Sequence, residues 1–179
     1  LIATIPKSPA QERAAPPDFE SAVRQHQAMV FSLAFHFLRD RSVAEELAQE
    51  VFLELYTHLD DMQSPEHLRF WLRQVTVRRC IDQTRRGRFR RHISLSDIPE
   101  PFVWMPAGDP KLREHLRRLI AGLAEAPRAA MILRYQEDMS PTEIAELLDM
   151  PLATVKSHLQ RSLALLRRKL GSIIGDVTL

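Results

Sequence analysis

MSPTEIAELLDMPLATVKSHLQRSLALLRRKL, residues 139–170, is the stretch whose reading decides the fold. Ser140, Pro141 and Glu143 form a strong helix start. Ser140 is placed to cap, Pro141 takes the first helical position, where its missing N–H costs nothing, and Glu143 completes a capping box. Ile144, Ala145, Leu147 and Leu148 give this helix a side to bury. Asp149, Met150 and Pro151 make a corner, and Leu152 is placed to plug the angle. A second helix starts near Ala153, with Val155, Leu159, Ser162 or Leu163, Leu166 and Leu170 inward. Two helices around a three-residue corner, with small Ala145 at the crossing, read as a helix-turn-helix.

The opposite side of the second helix carries Thr154, Lys156, Ser157, Gln160 and Arg161. Lys and Arg bond to guanine edges or phosphate, Gln matches adenine, and hydroxyls reach phosphate. Residues of these types on one helix face point to the major groove of DNA. A helical pair that binds protein is the alternative on this pattern alone.

The segments upstream are also helical. A helix from Pro110 to about Glu125 has Leu112, Leu116, Leu119, Ile120 and Leu123 on one face, and another from Pro127 to about Tyr135 turns Ala130, Met131 and Leu133 inward. Further back, Asp18 caps a helix from Phe19 to about Leu38, and Ser42 with Glu45 reads as the capping box of a helix from Val43 to about Leu59. Residues 60–67 read as a loop ending in the cap Ser64. A third helix from Glu66 to about Arg86 has Phe70, Trp71, Val75, Val77, Cys80 and Ile81 as its apolar positions. The expected organisation is all-α: a loose tail 1–17, a helical domain 18–86, a linker 87–109, a second helical domain 110–172 ending in the helix-turn-helix, and a tail 173–179. Phe102, Val103, Trp104 and Met105 give the linker something to pack.

The formal net charge of +2 hides segregated blocks. Residues 40–66 hold eight acids and one Arg; residues 69–91 hold nine Arg and one Asp. Residues 111–170 hold eleven basic and seven acidic residues. Such blocks imply separate faces for separate partners: the basic ones suit a polyanion, and the acidic one cannot touch phosphate. The single cysteine, Cys80, excludes an internal disulfide, reads as a buried small hydrophobe and favours a cytoplasmic location. No run approaches a membrane span, and the proline-bearing N-terminus lacks a signal peptide's apolar core. The chain begins at Leu1 rather than Met, so a missing or altered start is expected. The seven histidines are scattered, with His92 and His115 expected at the surface. No nucleophile–base pattern, metal spacing or phosphate loop is present, so neither an enzyme nor a cofactor is expected.

Two separate segments, in order, carry a family resemblance. AEELAQEVFLELY (44–56) with FWLRQVTVRRCIDQTRR (70–86) is similar to region 2 of bacterial RNA polymerase sigma factors of the sigma-70 family, extracytoplasmic-function group. LAEAPRAAMILRYQEDMSPTEIAELLDMPLATVKSHLQRSLALLRRKL (123–170) is similar to region 4. The resemblance implies a protein without an active site that binds core RNA polymerase and directs it to promoter DNA. Glu46, Gln49 and Glu50 would dock on the clamp helices of the polymerase's largest subunit. Arg69, Arg73, Arg78, Arg79, Arg85 and Arg86 would face the −10 element, where backbone contact and capture of unstacked bases need positive charge beside apolar surface. Trp71 is read as core, and the 60–67 loop as the receiver of a flipped base. Thr154, Lys156, Ser157, Gln160 and Arg161 would read the −35 element, with Arg134 and Thr142 on phosphate. Members of the group usually carry Asn at the position of Arg78, many carry Arg at that of His158, and their loop holds glycine and arginine where this one holds Asp60 and Asp61. An anti-sigma protein is a further expected partner. The competing reading is a stand-alone helix-turn-helix regulator that never joins the polymerase, and it has no need of an acidic helix; a protein-binding adaptor has no need of the basic blocks.

Overall fold

The computed structural model describes residues 18–88 and 110–176, and all of its regular structure is helical. Helices α1 (Phe19–Leu38), α2 (Arg41–His58) and α3 (Pro65–Arg88) pack on one another as a first group. Helices α4 (Pro110–Ala121), α5 (Glu125–Tyr135), α6 (Pro141–Leu147) and α7 (Leu152–Asp176) form a second. The tail 1–17, the expected linker from residue 89 to 109 with His92 and the 102–105 apolar run, and residues 177–179 lie outside the described residues.

Helix starts follow local chemistry. The Asp18 carboxylate accepts the Ser21 N–H at 3.3 Å. The expected Ser42–Glu45 box does not form. Asp40 caps instead, accepting from Val43 N–H at 3.0 Å, and α2 begins at Arg41. An ionised carboxylate at the first available position is the stronger acceptor, and Glu45 is taken by Arg41 at 2.8 Å. Arg39, at φ 60°, turns the chain between α1 and α2. The expected 60–67 loop is shorter: Leu59–Asp61 is a 3-10 turn, and Ser64 Oγ accepts from His67 N–H at 3.1 Å to open α3. Gly87 does not break α3, which runs on to Arg88. A single glycine costs about 1 kcal/mol in a helix, too little to end one among good helix formers.

The corner of residues 148–151 is a Schellman closure. Asp149, at φ 51°, occupies the left-handed position. Met150 N–H reaches Ala145 O at 2.9 Å, and Asp149 N–H reaches Glu146 O at 3.3 Å. The expected capping box at α6 is present: Glu143 N–H donates to Ser140 Oγ at 3.2 Å, and Ser140 N–H to Glu143 Oε2 at 2.7 Å. α7 starts at Leu152 and continues past Leu170 to Asp176.

The buried residues of both groups join in one cluster, from Ala22 and Phe37 through Leu72 and Val77 to Leu133 and Val155. Leu68 and Leu72, absent from the apolar pattern of α3, are fully buried, while Phe70, Trp71 and Ile81 are half-buried. Arg128 joins the groups. It lies 5.3 Å over the Phe37 ring and donates to Phe37 O (3.2 Å), Leu123 O (2.9 Å) and Ala121 O. These carbonyls sit at and beyond the ends of α1 and α4, where helical partners run out.

Candidate nucleic-acid and protein interfaces

On α7, Lys156, Gln160 and Arg161 are exposed, and Thr154 and Ser157 are half-buried beside them. Val155, Leu159, Ser162 and Leu166 anchor the opposite side, with Ser162 rather than Leu163 the buried one of that pair. The helix therefore offers cations and an amide on a rigid, packed support. Thr142 is exposed at the start of α6. Arg134 is half-buried and donates to Met139 O at 3.0 Å, so part of its guanidinium holds the approach to α6. Hydrogen bonds from the Ser140 hydroxyl and backbone hold the Glu143 carboxyl below its ordinary range. The box thus keeps its charged form into mild acid. His158 and His115 are half-buried.

On α3, Arg69, Arg78, Arg85 and Arg86 are exposed, and Arg73 and Arg79 are half-buried. They do not share one environment. Arg79 donates to Glu54 Oε2 through Nε at 2.9 Å and Nη2 at 2.6 Å, and also to Glu50. It staples α3 to α2 and is committed within its own group. Arg73 pairs with Glu137 at 2.7 Å, and Arg85 with Glu125 at 3.6 Å. Both carboxylates come from the second group. A groove between α2 and α3 has Glu46, Glu50 and Glu54 on one wall and Arg78, Arg79 and Arg86 on the other. The charge blocks imply different surfaces for Glu50 and Arg79; the fold brings the two side chains together.

Beneath α3, His26 is buried, and its pKa is lowered by burial, then by Arg69 and Arg73. Cys80 is buried, and loss of solvent pushes its thiol well above the usual range, so it is unreactive packing as expected. Trp71 lies 5.8 Å from the His58 ring, half-covered rather than enclosed.

On α2, Glu46, Gln49 and Glu50 are exposed. Two residues outside the expected docking set extend the same stripe: Leu53 is 70% exposed and Tyr56 67%. At 100° per residue, positions 46, 49, 53 and 56 fall close together on the helix surface. Tyr56 packs edge-on against Phe19 at 5.2 Å. Phe19, Val23, Phe31, Ala48 and Phe52 line an apolar groove alongside Leu53. The available signal was an apolar pair recurring on the polar side of an otherwise amphipathic helix.

Among the described residues no group of three His, Cys, Asp or Glu is arranged to hold a metal ion. No described helix is long and apolar enough to cross a membrane.

Comparison with known proteins converges on one family. The family description "Sigma-70 region 2" matches residues 22–90, and "Sigma-70, region 4" matches residues 113–166. The extracytoplasmic-function RNA polymerase sigma factor SigE of Mycolicibacterium smegmatis is 33% identical over 165 residues, which are 87% of this chain and 63% of that protein. SigW of Bacillus subtilis is 23% identical over 85% of this chain and 88% of its own length. Among solved structures, the fold resembles the sigma factor RpoE of Bartonella quintana in complex with the anti-sigma factor NepR. The TM-score is 0.68 and the identity 20%, over 86% of this chain and 97% of that one. It also resembles CnrH in complex with the cytosolic domain of CnrY, with TM-score 0.62, 19% identity, and coverage of 86% and 88%.

Proposed function

We propose, for a chain that belongs to the sigma-70 family and within it to the extracytoplasmic-function group, that it binds core RNA polymerase and directs it to promoters. α2 is the polymerase-docking element, α3 faces the −10 element, and α7 reads the −35 element. Working beside the polymerase places the protein in the cytoplasm. The anti-sigma factor NepR, bound in the similar RpoE structure, makes a protein inhibitor part of this reading.

The observation that carries it is the α2 stripe. Glu46, Gln49, Glu50, Leu53 and Tyr56 combine carboxylates with exposed apolar side chains. DNA cannot accept such a surface, because phosphate repels the carboxylates and offers the apolar groups nothing to bury against. A protein can, with the apolar pair as the anchor and the charges at its rim. A stand-alone regulator would have the α7 face without this one.

No covalent chemistry is required. Docking through α2 places α3 and α7 on one polymerase-bound scaffold, so that two modest DNA contacts act as one through effective concentration. The cations of α7 hold the helix in the groove while Gln160 and Arg161 meet base edges. The exposed Arg69, Arg78 and Arg86 hold the downstream backbone. The test is transcription from genomic DNA fragments with purified core polymerase plus this protein. Specific run-off transcripts and a stable complex are expected; absence of a complex with core enzyme overturns the reading in favour of the regulator.

A further inference from the structure

We infer that Arg79 and Glu54 are positioning residues of the polymerase-docking face: together they hold the Glu50 carboxylate in place, so that one arginine of α3 serves docking rather than DNA. The inference rests on the reading of α2 as the docking element. Arg79 follows Val75 by one turn of α3, so both leave the same side of the helix. That side faces α2, where buried Val75 and Leu47 line the groove between the two helices. The Arg79 guanidinium therefore emerges against the α2 carboxylates, while Arg78, 100° away round the helix, is exposed.

Three nitrogens of Arg79 are engaged. Nε at 2.9 Å and Nη2 at 2.6 Å both donate to Glu54 Oε2, and Nη1 donates to Glu50 Oε2. Exposure divides the roles. The Arg79 and Glu54 side chains are 34% and 33% exposed, whereas Glu50 is 51% exposed. Glu54 is the anchor, Arg79 the link, and Glu50 the group presented to a partner. Arg79 addresses one oxygen of Glu50 and leaves the other to accept from that partner. The need for such a link lies in α2 itself. Glu46, Glu50 and Glu54 follow one another at i,i+4, so like charges line one edge of the helix and repel. Without a cation between them the carboxylates turn apart into solvent, and a partner has to order Glu50 as it binds. Ordering one such side chain costs about threefold to tenfold in affinity. Arg79 also repels a cation approaching Glu50, but at about 6 Å through salt water that repulsion is worth only about twofold. Positioning outweighs repulsion, so loss of Arg79 weakens docking.

The experiment measures the affinity of the full chain for core polymerase by anisotropy. The variants are Arg79→Gln, Glu54→Gln, Glu50→Gln and the Arg79→Gln/Glu50→Gln pair, each with a thermal melt. Part-exposed ion pairs add little to stability, so melting should stay close to the parent's. Arg79→Gln and Glu54→Gln should each lose about threefold to tenfold in affinity. The pair should lose no more than Glu50→Gln alone, because Arg79 acts through Glu50; a merely structural Arg79 would add its own loss. Arg79→Lys keeps the charge without the planar fork and should recover little. Binding of the free protein to a mixed-sequence 20-base-pair duplex at several salt concentrations should keep the parental slope in Arg79→Gln, where loss of a phosphate contact would lower it by about 1. Unchanged polymerase affinity in Arg79→Gln, additive losses in the pair, full recovery by Arg79→Lys or a lowered salt slope overturns the inference while leaving the sigma-factor reading in place. A parent chain that does not bind the polymerase overturns that reading, and this inference with it.

Discussion

Replacing Leu53 and Tyr56 together with serine separates the proposed docking face from the fold. Burying a leucine fully is worth about 1.5–3 kcal/mol, and Leu53, at 70% exposure, has left most of that unrealised. About 1–2 kcal/mol is therefore available to a partner's groove. Tyr56 is 67% exposed and of a residue type that dominates interface energetics, worth more than about 1 kcal/mol when covered. Together the pair should contribute on the order of 3 kcal/mol, which is about a hundredfold in affinity. The fold loses little: chiefly the edge contact of Tyr56 with Phe19, worth about 0.5–1.5 kcal/mol. For a chain of this size that lowers the melting temperature by roughly 2–4 °C per kcal/mol. The measurement is an anisotropy titration against core polymerase, with a thermal melt and binding to duplex DNA as controls. A hundredfold loss of polymerase affinity with near-parental melting and duplex binding is expected. Polymerase affinity within threefold of the parent, with the fold intact, would refute the assignment of this stripe to docking.

Three further outcomes follow from other parts of the molecule. Arg161→Ala should weaken binding to the upstream promoter duplex by about 1–3 kcal/mol for a lost base contact, or lower the salt slope by about 1 if the contact is phosphate; titrations at several salt concentrations distinguish the two, and an unchanged affinity removes Arg161 from the reading face. Arg128→Met leaves the Phe37, Ala121 and Leu123 carbonyls without their donor and should cost about 3–5 kcal/mol in denaturant unfolding, so a loss under about 1 kcal/mol would show that Arg128 is not the joint between the groups. His26 makes the fold acid-sensitive: its folded pKa is depressed, so the unfolded chain takes up the proton first, and stability complete above about pH 6.5 falls as pH drops toward the folded value. His26→Gln should flatten that part of the stability–pH curve.

What could be read in advance followed the range of the forces involved. Ser140, Pro141 and Glu143 act within one turn, so their box was legible from spacing. The inward positions of α7 repeat at helical period, and Val155, Leu159 and Leu166 are buried accordingly. α2 starts two residues before the expected Val43 because the Asp40 carboxylate caps in place of Ser42, and Glu45, the other half of the expected box, is taken by Arg41. Leu68 and Leu72 escaped notice because α3 is covered on several sides, which blurs its period. The partners of Arg73, Arg79 and Arg85 were not legible at all. Glu137, Glu50 and Glu125 lie far away in sequence, and only packing brings them within reach. Local sequence thus disclosed which faces exist, and tertiary structure decided which are free.

That division gives the charge blocks a physical role beyond solubility. α3 is densely basic and would repel itself as well as attract any polyanion. On one flank Glu50 and Glu54 of its own group neutralise Arg79, a pairing that need not break when DNA arrives. On the other flank Glu125 and Glu137 of the second group neutralise Arg85 and Arg73, so these pairs also join the two groups. The first set lets a basic helix fold against its neighbours; the second sets how much of its charge the idle protein displays. With Lys156 and Arg161 exposed on α7 and Arg69, Arg78 and Arg86 exposed on α3, both helices keep cations that can attract a polyanion.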